Sequence, residues 1–389
     1  MKVKHPFIIA LFVNFTIPLG GMSTDIYLPS LPSMATFFDT TPMMVQLTVT
    51  LFALGLGIGQ AVAGPISDAL GRRRPFLFGL ILQLIAVIVI LTLHSASILI
   101  IARLFQGFGS AFMMVPARAI LNDTFEGDAL KKQYTYITAA FALGPIVAPF
   151  IGGYLEHYFG WHANFIFILV YLVVLFLFML LFIEESIEKK RTFSIAHITS
   201  SYLTVLENKL FLTGGILVSF FLGYVAIFNV VGPFIIQDIL GKSAVYYGYV
   251  ALIMGAAWFS GNMASRLFFN YSRHSKTNII LVIMLLAAIM MLLLSLGQLT
   301  VLKLLIPIFI LIFGGGFLFP IYVGECLSIF RAQAASANGL LFALIWCVFS
   351  LFSFIGTCLK VHALMPLAVC YLVVTILVYL WFYLIAKKH

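Results

Sequence analysis

The feature that most constrains this chain is a series of twelve apolar runs, each close to the roughly 20 helical residues that cross a bilayer. They fall at about 7–30, 42–63, 75–94, 97–121, 133–155, 161–183, 210–237, 244–269, 277–297, 300–323, 332–358 and 362–386. With 63% hydrophobic residues, 9% charged residues and a mean hydropathy of +1.13, a water-soluble globule is excluded. The expected fold is an all-α integral membrane protein with its twelve helices in two pseudo-symmetric sets of six. An N-terminal six-helix bundle would occupy 1–183, a connector 184–209 and a C-terminal six-helix bundle 210–389. The first run leads into Asp25 and Pro29 and not into a small-residue cleavage site. The start is therefore expected to be the first membrane helix and no cleaved leader.

Lysine and arginine set the orientation. The face holding both ends of the chain takes Lys2, Lys4, Arg72, Arg73, Arg74, Lys131, Lys132, Lys189, Lys190, Arg191, Lys209, Arg266, Arg273, Lys276, Arg331, Lys387 and Lys388, against Lys242, Lys303 and Lys360 opposite. Both termini are thus expected in the cytosol. The formal charge of +9 reads as a topology signal with attraction to anionic membrane lipid, and nucleic acid is not an expected partner.

Catalytic chemistry has no visible foothold. Cys326, Cys347, Cys358 and Cys370 lie in or beside apolar runs with no metal-ligand spacing, and read as packing residues. His94, His157, His162 and His362 sit at run ends, where solvation explains them. No nucleophile with its base, no phosphate-cradling loop and no metal cluster is apparent, so neither a cofactor nor a metal is expected.

Two patterns carry functional content. Asp25-x-x-x-Pro29 near the end of the first run has a counterpart in Asn229-x-x-x-Pro233 near the end of the seventh, the mark of an internal repeat in parallel register. A weaker echo pairs Gly64-x-x-x-Asp68 with Gly261-x-x-x-Ser265, where the second copy lacks the acid. The segment Gly64-Pro-Ile-Ser-Asp68-Ala-Leu-Gly71-Arg72-Arg73-Arg74 reads as a charged hairpin between two membrane helices. Small residues permit close helix approach, Gly71 a tight reversal, and a carboxylate among guanidiniums an ion-pair latch. The polar stretch from Glu184 to Lys209, with Phe193, Ile195, Ile198, Tyr202 and Val205, fits either an interfacial amphipathic helix or a plain linker.

Charges inside the runs are few. Asp25 and Glu325 are the acids placed well within spans, while Asp68 and Asp123 fall at run ends. An ionised, unpaired carboxylate costs about 2.5 to 3.5 kcal/mol at the centre of a spanning helix, so it must be neutral, paired or facing water. A proton carrier needs that bistability. Arg103, in the fourth run, is the natural partner of Asp25. A fixed structural ion pair is the alternative. Glu325 sits near a helix end and fits either a cavity wall or a solvated terminus.

These residues resemble a known family. The 64–74 hairpin is similar to the loop between the second and third helices of the major facilitator superfamily, with Ala69 where a basic residue is usual. Arg103-Leu-Phe-Gln106-Gly-Phe-Gly-Ser-Ala111 resembles its fourth-helix motif, and Gly144-Pro145-Ile-Val-Ala-Pro149-Phe-Ile-Gly152-Gly153 its fifth-helix antiporter motif. Asp25-Ile-Tyr27-Leu-Pro29-Ser-Leu-Pro32, with Arg118-Ala-Ile-Leu-Asn-Asp123, is similar to the Bcr/CflA branch of twelve-helix drug:proton antiporters.

The resemblance implies a secondary transporter, not an enzyme, that exports small hydrophobic or cationic compounds by alternating access as a monomer in a bacterial inner membrane. It implies proton coupling through Asp25 and Arg103, with Glu325 as an unmatched addition. It further implies a substrate cavity drawn from Thr24, Tyr27, Gln106, Tyr224, Phe228, Asn229, Trp258 and Trp346. A conformational latch would comprise Gly64, Asp68, Gly71, Arg72, Arg118 and Asp123, with Asp68 facing the start of the eleventh helix near Ala332. Gly144, Pro145, Pro149, Gly152 and Gly153 would bend the fifth helix and seat it on the eighth. Two other functions stay open: a dedicated exporter of a metabolite such as a siderophore, amino acid or sugar, and a non-transporting membrane sensor or scaffold.

Overall fold

The computed structural model describes residues 6–187, 194–268, 270–330, 334–359 and 363–384. All regular structure among them is helical: α1 (Pro6–Thr16), α2 (Leu19–Asp25), α3 (Leu31–Phe37), α4 (Pro42–Leu70), α5 (Arg73–Thr92), α6 (Ala96–Thr124), α7 (Gly127–Phe159) and α8 (His162–Phe182) in the first half. The second half has α9 (Ile195–Leu206), α10 (Lys209–Phe234), α11 (Ala244–Leu267), α12 (Arg273–Leu294), α13 (Val301–Ile329), α14 (Ala334–Cys358) and α15 (Leu364–Leu384). Eleven helical stretches are long and apolar enough to cross a membrane, counting α1 to α3 as one broken crossing, and the 33-residue α7 makes the twelfth. With twelve crossings both chain ends lie on one face, the terminal face; the other is the far face.

The first crossing breaks where proline cannot donate. Pro18, Pro29 and Pro32 lack the N–H that would close a bond to the residue four earlier. The chain therefore passes from α2 through a 3-10 turn, Leu28–Ser30, into α3. Asp25 is the last residue of α2, so the break falls at the acid. The seventh crossing behaves alike: Pro233 lies inside the end of α10, and a π-helical turn, Ile235–Ile239, follows.

Glycines set the packing inside each half. A Cβ on Gly55 of α4 would stand 2.0 Å from the Leu104 carbonyl oxygen, and one on Gly107 of α6 would stand 2.0 Å from that of Phe52. In the second half Gly261 of α11 and Gly316 of α13 meet the Phe313 and Trp258 carbonyls at 2.2 and 2.3 Å. Backbone-on-backbone contact of this kind is how apolar helices associate in lipid. Gly64 does not take part, since a Cβ there would meet only Val115, at 4.0 Å. The close approach expected in the hairpin thus occurs higher up α4, where the helices cross.

The halves meet along α4 against α14 and α7 against α11. Hydrogen bonds, all but the last buried, join the halves toward the far face: Gln46 Nε2 to the Val230 carbonyl at 2.7 Å, Thr50 to Ser353 at 2.7 Å, Ser350 Oγ to the Thr50 carbonyl at 2.9 Å and Gln237 Nε2 to the Pro29 carbonyl at 2.8 Å. They seal the far half of the interface.

The connector stretch contains a helix, α9, held to the protein. Tyr202 donates its hydroxyl to the Ala61 carbonyl at 2.6 Å, and Val205 is buried. Ala61 is the residue whose carbonyl Pro65, four positions on, cannot satisfy. The connector supplies the donor that α4 lacks. Phe193 lies outside the described residues, as does the side chain of Ile195.

Candidate functional site

The break in the first crossing and the break in the seventh face each other. Asn229 Nδ2 donates to Asp25 Oδ1 at 3.0 Å across the interface, so the two members of the internal repeat meet side chain to side chain. Each stands four residues before a proline; Asp25 ends α2, whereas Asn229 lies within α10, which runs on to Phe234 before its π-helical turn. Asp25 is 8% exposed, and that exposure opens into a cavity.

Arg103 is fully buried, at 0% exposure, yet does not touch Asp25. Nη2 donates to the Ser23 carbonyl at 2.9 Å and Nη1 to Gln106 Oε1 at 2.6 Å. The guanidinium lies between the rings of Tyr27 and Phe52, 4.4 and 4.3 Å from their centroids, and Tyr27 itself bonds Thr48 at 2.8 Å. A cation at the carbonyl-rich end of α2 is favourable, and aromatic faces partly replace its water. The expected direct Asp25–Arg103 pair is therefore corrected: Arg103 fixes the end of the helix that carries Asp25, and acts on the acid through that backbone and through space.

The cavity has a volume of about 220 Å³ and lies on the terminal side of the far-face seal. Thr24 and Asp25 line it from α2, Phe228 and Asn229 from α10, Trp258 and Asn262 from α11, and Trp346 from α14. Among the described residues that line it, Asp25 is the one that carries charge. Tyr27, Gln106 and Tyr224 do not line it. The first two pack around Arg103, while Tyr224, fully buried, bonds Thr375 at 3.0 Å on the opposite side of α10.

On the terminal face the hairpin forms a clasp. Arg72 is ion-paired to Asp68, and its Nε lies 3.0 Å from Asp123 Oδ2. Burial alone would lower the Arg72 guanidinium, but its hydrogen bonds to Asp68 and Asp123 outweigh burial and hold it above its ordinary value. Gly71, at φ +98°, turns the chain so that the amides of Arg72 and Arg73 both reach the Glu185 carboxylate, at 2.7 and 3.2 Å. Ser186 donates to Asp123 at 2.8 Å. Glu185 thus seats the end of the sixth crossing in the hairpin, a role its place in a generic polar stretch did not signal. Ala332, the expected neighbour of Asp68, lies outside the described residues.

Arg118 belongs elsewhere than the clasp: its guanidinium sits 5.0 Å over the ring of Phe342 on α14, joining the two bundles at the edge of the cavity that Phe342 lines. Glu325 is also corrected. It is ion-paired to Arg273 where α12 begins and α13 nears its end, and is not among the residues lining the cavity. The fifth-helix motif divides by helical angle. A Cβ on Gly153 would stand 2.7 Å from the Ala244 carbonyl oxygen of α11, whereas Gly144 and Gly152, two turns apart, lie against Pro18 and the Ile26 carbonyl. The expected contact of all three with the eighth crossing holds for Gly153 alone. Pro149 lines the cavity, and the side chain of Pro145 lies outside the described residues.

A family model described as the Major Facilitator Superfamily matches residues 13–357. The chain is 34% identical over 250 residues to a bicyclomycin resistance protein homolog of Haemophilus influenzae, covering 63% of this chain and 62% of the relative. It is 27% identical over 354 residues to multidrug resistance protein D of Escherichia coli, covering 87% and 86%. An uncharacterized MFS-type transporter of Bacillus subtilis, YdgK, matches at 31% identity over 67% of this chain and 65% of its own length, so the aligned stretch spans under two thirds of two of these relatives. Among solved structures, a D-xylose-proton symporter superposes with a TM-score of 0.75 at 16% identity, over 96% of this chain and 97% of that one. That likeness concerns the fold.

Proposed function

The chain belongs to the Major Facilitator Superfamily, and from that premise we propose that it is a proton-coupled antiporter exporting small hydrophobic or cationic compounds. The observation that carries this reading is the position of Asp25: among the described residues the sole charged one lining an aromatic cavity, bonded across the interface of two bundles that must separate there for access to alternate. Relatives named for drug resistance support it.

The excess of Lys and Arg makes the terminal face cytosolic. In the closed-far-face arrangement a hydrophobic cation enters from the cytosol, packs against Trp258, Trp346 and Phe228, and meets the ionised Asp25 carboxylate. The proton that Asp25 held leaves to the cytosol. Binding favours release of the far-face hydrogen bonds and closure at the terminal face, where the Arg72 clasp holds the first half rigid. Outside, a proton returns to Asp25, cancels its charge and frees the cation. Asn229 keeps the carboxyl oriented, and Arg103 positions it by anchoring the Ser23 carbonyl. The protein works as a monomer in the lipid of a bacterial inner membrane, with both termini cytosolic and no nucleic-acid partner.

Proteoliposomes carrying an imposed pH gradient test the reading with ethidium as the hydrophobic cation. The wild type moves ethidium against proton flow, and Asp25→Asn abolishes the movement. Unchanged ethidium movement in Asp25→Asn rejects the assignment.

A further inference from the structure

The polar side chains of the cavity are not equivalent. Asp25 accepts from Asn229, and Thr24 donates its hydroxyl back to the Gly20 carbonyl at 3.0 Å. Asn262 differs: its backbone carbonyl accepts from Ser265, but its carboxamide has no hydrogen-bond partner among the described residues. A half-buried amide bordering an apolar cavity with both its donor and its acceptor free of protein partners is suited to a ligand group, and becomes costly to leave unpaired once a ligand displaces water from it.

Its position gives the geometry. Ala251, Gly255, Trp258 and Asn262 fall on one stripe of α11 that borders the cavity, about 16 Å along the helix axis. Asp25 sits toward the opposite end, beside the Phe228–Asn229 end of the α10 wall. Between the two poles the wall is aromatic, with Trp258 edge-on to Phe319 at 5.3 Å and Trp346 beside Phe349 at 5.2 Å.

We propose that Asn262 is a specificity-determining residue, a second polar pole that selects elongated ligands with a cationic group at one end, an aromatic or aliphatic middle and a neutral hydrogen-bonding group at the other. A compound lacking the distal group leaves the amide unpaired against apolar atoms, so the site discriminates more sharply than aromatic packing alone allows. This rests on the reading of Asp25 as the cation-binding pole.

The test uses two probes on the purified full-length protein: an aryl-alkyl tertiary amine carrying a primary amide about 10 to 15 Å from its nitrogen, a reach set by the stripe on α11, and its isostere with an isopropyl group in place of the amide. Binding is read by quenching of tryptophan fluorescence, since Trp258 and Trp346 border the site. The wild type binds the amide probe about tenfold more tightly than the isostere. Asn262→Leu brings that ratio to about one by weakening the amide probe alone, and Asn262→Ala does the same should the leucine variant fold poorly. Equal binding of both probes by the wild type, no binding of either, an unchanged ratio in the variants or an equal loss of both probes overturns the proposal. Asp25→Asn is measured in parallel. Retained binding there rejects the cation pole, while the probe ratio still reports on Asn262.

Discussion

Position by position, the first and second halves of the molecule carry the same scaffold with different chemistry. Asp25 and Asn229 stand 204 residues apart, each four before a proline, and they bond each other. The same interval separates Gly152 from Gly356: the first lies against the Ile26 carbonyl beside Asp25, the second against Val230 and Ile227 beside Asn229. Arg72 pairs with Asp123 across 51 residues, and Arg273 with Glu325 across 52, each joining the start of a half's third crossing to the end of its fourth. Where the halves differ, the first holds the acid in the cavity wall and the second an amide; the first has Asp68 and Glu185 reinforcing its clasp, and the second has Ser265. The fold repeats while the charge does not. The carboxylate of the cavity wall thereby belongs to one half, and its partner in the other is a neutral amide.

The largest expected difference between equivalent positions lies at the glycines. A Cβ at Gly152 would stand 1.6 Å from a backbone oxygen, whereas at Gly356 the nearest atom is a Val230 methyl at 2.5 Å. A carbonyl in a helix break cannot move away, but a side chain can rotate. Gly152→Ala should cost about 3 kcal/mol and Gly356→Ala about 1 kcal/mol, read from thermal unfolding of the solubilised protein. Equal costs would break the asymmetry.

The clasps come next. The Arg72 side chain is 10% exposed and bonds two carboxylates, while the Arg273 and Glu325 side chains are 23% and 26% exposed and, among the described residues, pair with each other alone. Arg72→Ala should destabilise by about 3 kcal/mol and Arg273→Ala by about 1 kcal/mol. Glu325→Gln should leave the pH dependence of transport as in the wild type, because Glu325 is a clasp residue; a shifted pH profile would return it to the coupling site.

The smallest effect concerns the connector. Tyr202→Phe removes the hydroxyl that serves the Ala61 carbonyl and should cost about 1 kcal/mol. Burial, with the nearby Asp68 charge, pushes the Tyr202 phenol up to about 12 from the ordinary 10.0. A group whose native value is raised contributes fully below its unfolded value and loses its contribution as pH rises through the native one. The difference between wild type and Tyr202→Phe should therefore be constant up to about pH 10 and shrink toward pH 12, measured by unfolding across that range.

Much of this was legible in the residues. Run lengths gave the twelve crossings, and the two Asp/Asn-x-x-x-Pro patterns gave the repeat whose members meet. Helical phase was harder to read. Tyr27, Gln106 and Tyr224 were expected in the cavity, but each residue turns a helix by about 100°, and the break after Asp25 resets the angle of everything beyond it. Glu185 gave no signal because its partners are backbone amides brought near by a positive φ at Gly71, and such a nest has no side-chain signature. Glu325 misled because a carboxylate late in an apolar run looks intramembrane until the partner 52 residues earlier is placed beside it. Asn262 lay in plain sight, one amide in an apolar helix, with nothing in the sequence to say which way it faced.

The proposed exchange rests on one carboxylate, Asp25, that binds either a proton or a cation. Proton release on adding tetraphenylphosphonium to the solubilised protein in weakly buffered solution tests it most directly. The wild type should release about one proton per bound cation at saturation, by competition at a single site, and Asp25→Asn should release none. Equal proton release from the wild type and Asp25→Asn would contradict it.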